Sequence, residues 1–307
     1  MVSVASALAI AGGIAVHPNR KCAPASVSKP KMAELMTDIP VGADKLRAFY
    51  VPLAIRTVKN FRTCLQWAWL DVVCHYRRSR IGPLWETVNI LVMVLGLSVV
   101  SSAVIGGDVT DLIGYIGLGI IVWTAISALI MEGTTTFVRN AGLITTSNIS
   151  IDCYVGRTVL RTLIVFCHHI VLYFLGLALL LVPLSWTSLL ALPGIALLFV
   201  NGYWIGVVLA FLCARFRDLE QIIRNLLQLA FFVTPVFWKS DLVVGSKRAI
   251  VDYNVLFYFV EIIRAPLLGQ VPPLKYYTVA LGCTVIGYLT AVLVYQRMRR
   301  HLAYFVA

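Results

Sequence analysis

Thr162 to Ala214 reads TLIVFCHHIVLYFLGLALLLVPLSWTSLLALPGIALLFVNGYWIGVVLAFLCA, 53 residues without one Asp, Glu, Lys or Arg. A bilayer core takes about 20 apolar residues per helix, so this run is long enough for two spans. Pro183, Ser185, Thr187 and Ser188 interrupt it near the middle, where a hairpin tip belongs. The rest of the chain agrees. Of 307 residues 60% are hydrophobic and 13% charged, and the mean hydropathy is +0.86. A soluble chain of this length could not cover that much apolar surface, so the sequence predicts an all-α polytopic membrane protein.

On either side of that hairpin, Thr87 to Gly107 and Ile113 to Met131 are the first two charge-free runs and Tyr276 to Gln296 the last. Asn225 to Trp238 is only 14 residues, but it spans if its helix starts near Leu219 and the Arg224 stem snorkels. The sum is six transmembrane helices. Twelve Lys+Arg against five acidic residues precede the first span. Arg139, Arg157 and Arg161 follow the second, Arg215 and Arg217 follow the fourth, and Arg297, Arg299 and Arg300 lie in the tail. Asp108 to Leu112 and Leu184 to Ser188 hold no Lys or Arg. The bias places both termini in the cytoplasm. The basic excess therefore marks membrane loops, and no basic stretch sits on a soluble domain to suggest nucleic acid. None of the seven cysteines falls in an outer loop and there is no CxxC pair, which speaks against a disulfide framework or a zinc site.

Two segments flank this bundle. Residues 1–54 are read as a disordered leader, with Met32 or Met36 as alternative starts. From Ile55 to Tyr76, apolar Ile55, Val58, Phe61, Leu65, Trp69, Val72 and Tyr76 recur at three- and four-residue steps, with Arg56, Lys59, Asn60, Thr63 and Gln66 largely between. That is an amphipathic helix, placed at 55–80 along the cytoplasmic interface; an ordinary soluble packing helix is the alternative. Residues 81–307 form the six-span domain. Between the last two spans, Ala249–Val251 and Tyr253–Val260 are apolar but broken by Asp252, Glu261 and Arg264, and Pro266, Gly269, Pro272 and Pro273 follow. The stretch is too charged to span and too apolar for water, which predicts re-entrant helices on the outer side.

Chemistry is sparse. No Gly is followed by Lys, so no GxxxxGK[ST] phosphate loop exists, and there is no GxSxG or HExxH. His168 and His169 share a predicted span with no acidic residue, which favours packing and interhelical hydrogen bonds over proton relay. Glu86 and Glu132 sit at span ends, and no chain of buried carboxylates suggests a proton-driven pump. Gly202 and Gly206 form a GxxxG, and Ser98, Ser102 and Gly106 repeat every four residues, as at close helix contacts.

Tyr76-Arg77-Arg78-Ser79-Arg80-Ile81-Gly82-Pro83-Leu84-Trp85, at the first span, resembles the signature of permease subunits of ABC-type polysaccharide exporters, of the O-antigen, capsule and teichoic-acid types. Later pieces match in order: Arg139-Asn140-Ala141-Gly142-Leu143-Ile144, Cys213-Ala214-Arg215-Phe216-Arg217-Asp218, Thr234-Pro235-Val236-Phe237-Trp238 and Glu261-Ile262-Ile263-Arg264-Ala265-Pro266-Leu267-Leu268-Gly269. The likeness runs from Ile55 to the C-terminus, and Glu86 and Asn89 depart from it.

The resemblance implies a six-span homodimer in the cytoplasmic membrane. Two separate ATP-binding subunits would hold ATP and Mg, so this chain is expected to carry no cofactor and no catalytic site. The cargo is a lipid-linked polysaccharide. Sugar chains need aromatic faces for C–H surfaces and polar groups for hydroxyls, so Trp85, Asn89, Phe231, Phe232, Phe237 and Trp238 are candidate path residues; lipid contact or packing is the alternative for each aromatic. Arg77, Arg78 and Arg80 stand where the carrier's phosphates arrive, with anchoring to anionic headgroups as the alternative. Ile149, Ile151, Asp152 and Tyr154, in the loop from Gly133 to Thr158, suggest a short helix that docks on the ATPase, or else a solvated turn. Tyr253, Phe257, Glu261 and Arg264 would cap the outer end, with Glu261 and Arg264 as an ion pair. A permease for another lipid or drug, and a membrane-bound glycosyl- or acyltransferase, are the competing functions.

Overall fold

The computed structural model describes residues 61–77, 82, 84–106, 108–147, 149–179, 186–243 and 245–306. Among them there are helices and no β-strand. The leader and the start of the amphipathic stretch (residues 55–60) lie outside them, as do Arg78, Arg80 and Pro83.

Helix α1 spans Phe61–Tyr76. Gly82, at φ +61°, takes the chain into α2, Leu84–Ile105. A left-handed backbone there favours glycine, which has no Cβ to clash, so the chain turns at Gly82 just before α2. Helix α3, Val109–Arg139, is 31 residues long and starts on Asp108, whose carboxylate accepts the Thr110 N–H at 3.2 Å. That hydrogen bond holds the exposed Asp108 carboxyl below its ordinary range. A short α4, Ala141–Thr146, leads to α5, Ile151–Leu179. After a 3-10 turn at Trp186–Leu190 comes α6, Ala191–Arg215. Then follow α7, Leu219–Val233; α8, Arg248–Asp252; α9, Val255–Leu267; α10, Leu274–Met298; and a tail helix α11, Leu302–Val306.

Among the described residues, five helical stretches are long and apolar enough to cross a membrane: Leu84–Val104, Val109–Arg139, Ile151–Gly176, Trp186–Arg215 and Leu274–His301. Cross-helix partners fix their directions. Thr136 meets Thr158, Glu132 meets Arg161 and Tyr173 donates to the Gly114 carbonyl, so α3 and α5 are antiparallel. Leu129 lies on Gly202, Gly133 on Gly206 and Phe137 on Phe211, so α3 and α6 run the same way. Tyr277 bonds the Leu190 carbonyl, Asn201 bonds Thr284 and Phe211 packs on Tyr295, so α10 runs with α6 as well.

The core is the α3–α6 contact. An added Cβ on Gly202 would sit 2.7 Å from Leu129, and one on Gly133 would sit 3.0 Å from the Gly206 Cα. The GxxxG read in the sequence is therefore a real close approach, met by a third glycine on the facing helix. Around it Leu118, Val122, Leu129, Phe166 and Leu198 are buried together, and nearer the Arg215 end Phe137, Tyr154, Phe211 and Leu302 form a second cluster.

Helix α1 lies along α5 in the same direction: Cys64 meets Cys153, Trp67 meets Tyr154 and Asp71 pairs with Arg157. Small residues make this possible, because Cys64 and Ala68 are fully buried. The apolar stripe read in the sequence is not the packed side. Phe61, Leu65 and Trp69 remain exposed, alongside Leu70 and Val73.

Candidate functional site

The chain must return between α6 and α10, since the two run the same way. It does so through α7 and the non-helical residues 234–238. Fifteen residues of α7 reach about 22 Å, short of the ~30 Å hydrocarbon core. From its last turn onward the chain runs along α3: Phe231 packs on Trp123, the Val236 carbonyl lies against Gly119, and the Trp238 carbonyl accepts from the Tyr115 hydroxyl at 3.3 Å.

An irregular backbone inside a membrane protein needs donors from elsewhere, because lipid supplies none. Each carbonyl here has one. Thr234 accepts from the Val236 N–H at 2.7 Å. Arg264 Nη1 donates to Pro235 at 2.8 Å and Val236 at 3.3 Å, and Ser101 donates to Phe237 at 3.2 Å. Arg264 is fully buried, its guanidinium carbon 3.8 Å from the Tyr115 ring centre and its Nη2 bonded to Glu261. The expected Glu261–Arg264 pair thus exists, but its environment is not the solvated one in which such pairs contribute a few tenths of a kcal/mol. A buried arginine with one partner carboxylate needs its remaining protons satisfied, and two backbone carbonyls accept those of Nη1. Sequence reading missed this link, since nothing in EIIRAP points to carbonyls about 30 residues upstream.

Helix α9 belongs to the same construction. Asn254 caps it, accepting from the Leu256 and Phe257 amides, and donates to the buried Thr234 hydroxyl at 2.9 Å. At its start Val255, Leu256 and Phe259 line a cavity with Leu129, Asn201 and Gly202 from the middle of α3 and α6. At its end the Pro266 carbonyl accepts from Thr187, beside the Leu190 end of α6. Phe257 is buried, whereas Tyr253 is 86% exposed.

The predicted path residues fall into two groups. Phe231, Phe232 and Phe237 form one ring cluster, with centroids 5.5 to 6.2 Å apart, and the Trp238 indole donates to the Phe232 carbonyl. No residue of α7 is buried, and Ile222, Leu226, Leu229 and Phe232 form an exposed apolar face. Trp85 and Asn89 lie apart from that cluster, exposed on the first turns of α2. Arg77 is exposed in the turn after α1.

At the Arg215 end, a short helix does occur within the loop from Gly133 to Thr158, but at Ala141–Thr146. The residues expected on its docking surface sit behind it. Tyr154 is 1% exposed, Ile149 and Ile151 are half-buried, and Asp152 is buried with Ser150 donating to it at 3.1 Å. Their apolar bodies fill the cluster of Phe137 and Leu302, leaving Gly142, Leu143, Thr145 and Thr146 on the surface. Glu132–Arg161 at 2.7 Å and Asp71–Arg157 hold α3, α5 and α1 together nearby. His168 stands 3.5 Å from the Thr87 hydroxyl and His169 is buried 3.9 Å from Glu86, so both histidines face the neighbouring α2. Among the described residues no group of His, Cys, Asp and Glu could hold a metal.

Residues 59–268, more than half the chain, match the ABC-2 type transporter family. The chain belongs to that family. It is the multi-pass membrane subunit of an ABC exporter, the part that works with ATP-binding subunits rather than an enzyme in itself. The likeness read from the ordered sequence pieces holds as well: over 197 residues, 61% of this chain and 72% of its relative, it is 22% identical to the O-antigen export system permease protein RfbA of Klebsiella pneumoniae.

Proposed function

We propose that this ABC-2 subunit exports a lipid-linked polysaccharide of O-antigen or capsule type across the cytoplasmic membrane, as a homodimer with two ATP-binding subunits that hold ATP and Mg. The observation that carries this reading is the likeness to an O-antigen export permease. The uncharged aromatic cluster at the end of an α7 left uncovered supports it, because ring faces suit sugar C–H surfaces.

In this reading the chain crosses six times, the fifth crossing being α7 continued by Thr234–Trp238. The shared direction of α6 and α10 supports that count. Both termini are cytoplasmic, in keeping with the basic loops at the Arg139 and Arg215 ends. Helix α1 offers its exposed Phe61–Leu65–Trp69 stripe to the inner leaflet, and α8 and α9 re-enter from outside. Cysteines at Asp252 and Gln270 then react with a membrane-impermeant thiol reagent from outside; labelling from the cytoplasm alone would overturn this topology.

The polymer's carrier phosphates meet Arg77 and Arg78, with Arg80 beside them, before Trp85 and Asn89. Arginine binds phosphate through paired charged hydrogen bonds that lysine reproduces poorly. Arg77→Lys/Arg78→Lys therefore loses export at normal protein level, and unchanged export refutes the recognition. The α4 surface at Leu143 carries the ATPase contact, braced from behind by Ile149, Ile151, Asp152 and Tyr154. Leu143→Lys should release the ATPase in co-purification; retained ATPase would remove that role.

The function as a whole is tested by depleting the chain in cells fed a labelled sugar. Polymer then accumulates out of reach of an externally added glycosidase. Polymer that still reaches the surface at the normal rate contradicts it.

A further inference from the structure

At the Asp108 and Leu190 end of the bundle lies a cavity of about 420 Å³ that the path residues do not account for. This is within the range of about 300–1,000 Å³ typical of small-ligand sites. Asp111 and Tyr115, one turn apart on α3, form one wall. Phe257, Glu261 and Ala265, on one face of α9, also line it. Lys239–Asp241 and Gln270–Pro273 complete it, with the Tyr276 ring from α10.

Tyr115, Phe257 and Tyr276 share this lining with Asp111, Ser240 and Glu261, a combination that suits a pyranose: rings for its C–H side, carboxylate and hydroxyl groups for its hydroxyls. The charges narrow the class. Three lining carboxylates face one lining cation, Lys239, among the described residues. Arg264 pairs with Glu261 and Arg248 lies 4.0 Å from Asp241, so these arginines are already committed to acids and the lining offers no surplus of cations. An acidic sugar calls for the opposite, a surplus of guanidinium or ammonium donors.

Resting on the export reading above, which puts this end outside, we propose that the cavity binds glycosyl units of the emerging chain and selects neutral ones over uronic or phosphorylated ones. It would hold the leading sugars beside the exit and oppose backsliding.

The test uses the full chain in nanodiscs with Gln270→Cys, whose side chain is exposed in the lining, and Trp186→Cys, 88% exposed on the 3-10 turn before α6, as the control. The rate of maleimide labelling at the engineered position, read from its own peptide by mass spectrometry because native Cys74 is also exposed, is measured with maltotriose or with trigalacturonic acid. Maltotriose should slow labelling at Gln270→Cys about threefold when present near twice its Kd. Trigalacturonic acid should leave that rate unchanged, and neither sugar should alter Trp186→Cys. Adding Asp111→Ala, a change at an exposed residue, should abolish the protection. No slowing by maltotriose, equal slowing by the acidic trimer, or protection that survives Asp111→Ala overturns the proposal. Because binding is read without export, such a result in cells that still export polymer leaves the export reading intact. Lost dependence of export on this chain would instead remove that reading alone.

Discussion

Helix α6 and helix α7 are neighbours in sequence and both apolar, yet they are built in opposite ways. Helix α6 closes on α3 through glycines and satisfies its backbone internally over 25 residues. Helix α7 has no buried residue, ends after 15, and hands the chain to a bent segment whose carbonyls borrow donors from Arg264, Ser101 and Tyr115. The first arrangement cannot shift without steric clash. The second is held by a few side chains and leaves a whole face open. A transporter needs both, a rigid frame and an element whose contacts can be exchanged, and here they are adjacent.

The largest expected effect is at the borrowed donors. Arg264→Met strips two buried carbonyls and leaves Glu261 uncompensated, a loss of about 3–5 kcal/mol on the scale of broken buried pairs. It should appear as a lower melting temperature of the purified chain, with partial recovery in the Arg264→Met/Glu261→Gln double change. Full stability of the single variant would mean that the bent segment does not depend on it. Next come the glycines. Gly202→Val forces a methyl onto Leu129 and should cost about 1–3 kcal/mol, as overpacked cores do. Leu226→Val on the open face of α7 should stay within about 0.5 kcal/mol, and equal losses at the two sites would erase the contrast.

A smaller effect belongs to the α1–α5 contact. Asp71 and Arg157 are each about a quarter exposed, so Asp71→Asn should cost at most about 1 kcal/mol and less at high salt. Smallest is a difference in reactivity. Burial, with Cys153 at 2.8 Å, pushes the Cys64 thiol up to about 12, whereas Cys74 is exposed on the same helix. Maleimide at neutral pH should label Cys74 and spare Cys64; rapid labelling of both would mean that α1 separates from α5.

Helical class, apolar runs and the GxxxG contact were legible because charge-free length and small-residue spacing are local signals. The stretch proposed as a fifth crossing was legible only as a short charge-free run. Its helix stops before Pro235, and the residues that complete it are stabilised by Arg264, which lies beyond a loop and cannot be paired from spacing. The docking loop misled for a related reason. Ile149, Ile151 and Tyr154 look like a surface patch in sequence, but Leu302 from the tail and Phe137 from α3 cover them. The stripe on α1 read correctly as apolar, while two small residues, Cys64 and Ala68, decided which side packs.

The open α7 face, rather than any lipid-facing surface, is the proposed contact with the polymer. A photo-crosslinking amino acid placed at Phe232 is compared with one at Leu289, which is similarly exposed on α10. Both are irradiated in cells with polymer in transit. A glycan adduct is expected from Phe232 and none from Leu289. Adducts from both positions alike, or from Leu289 only, would contradict it.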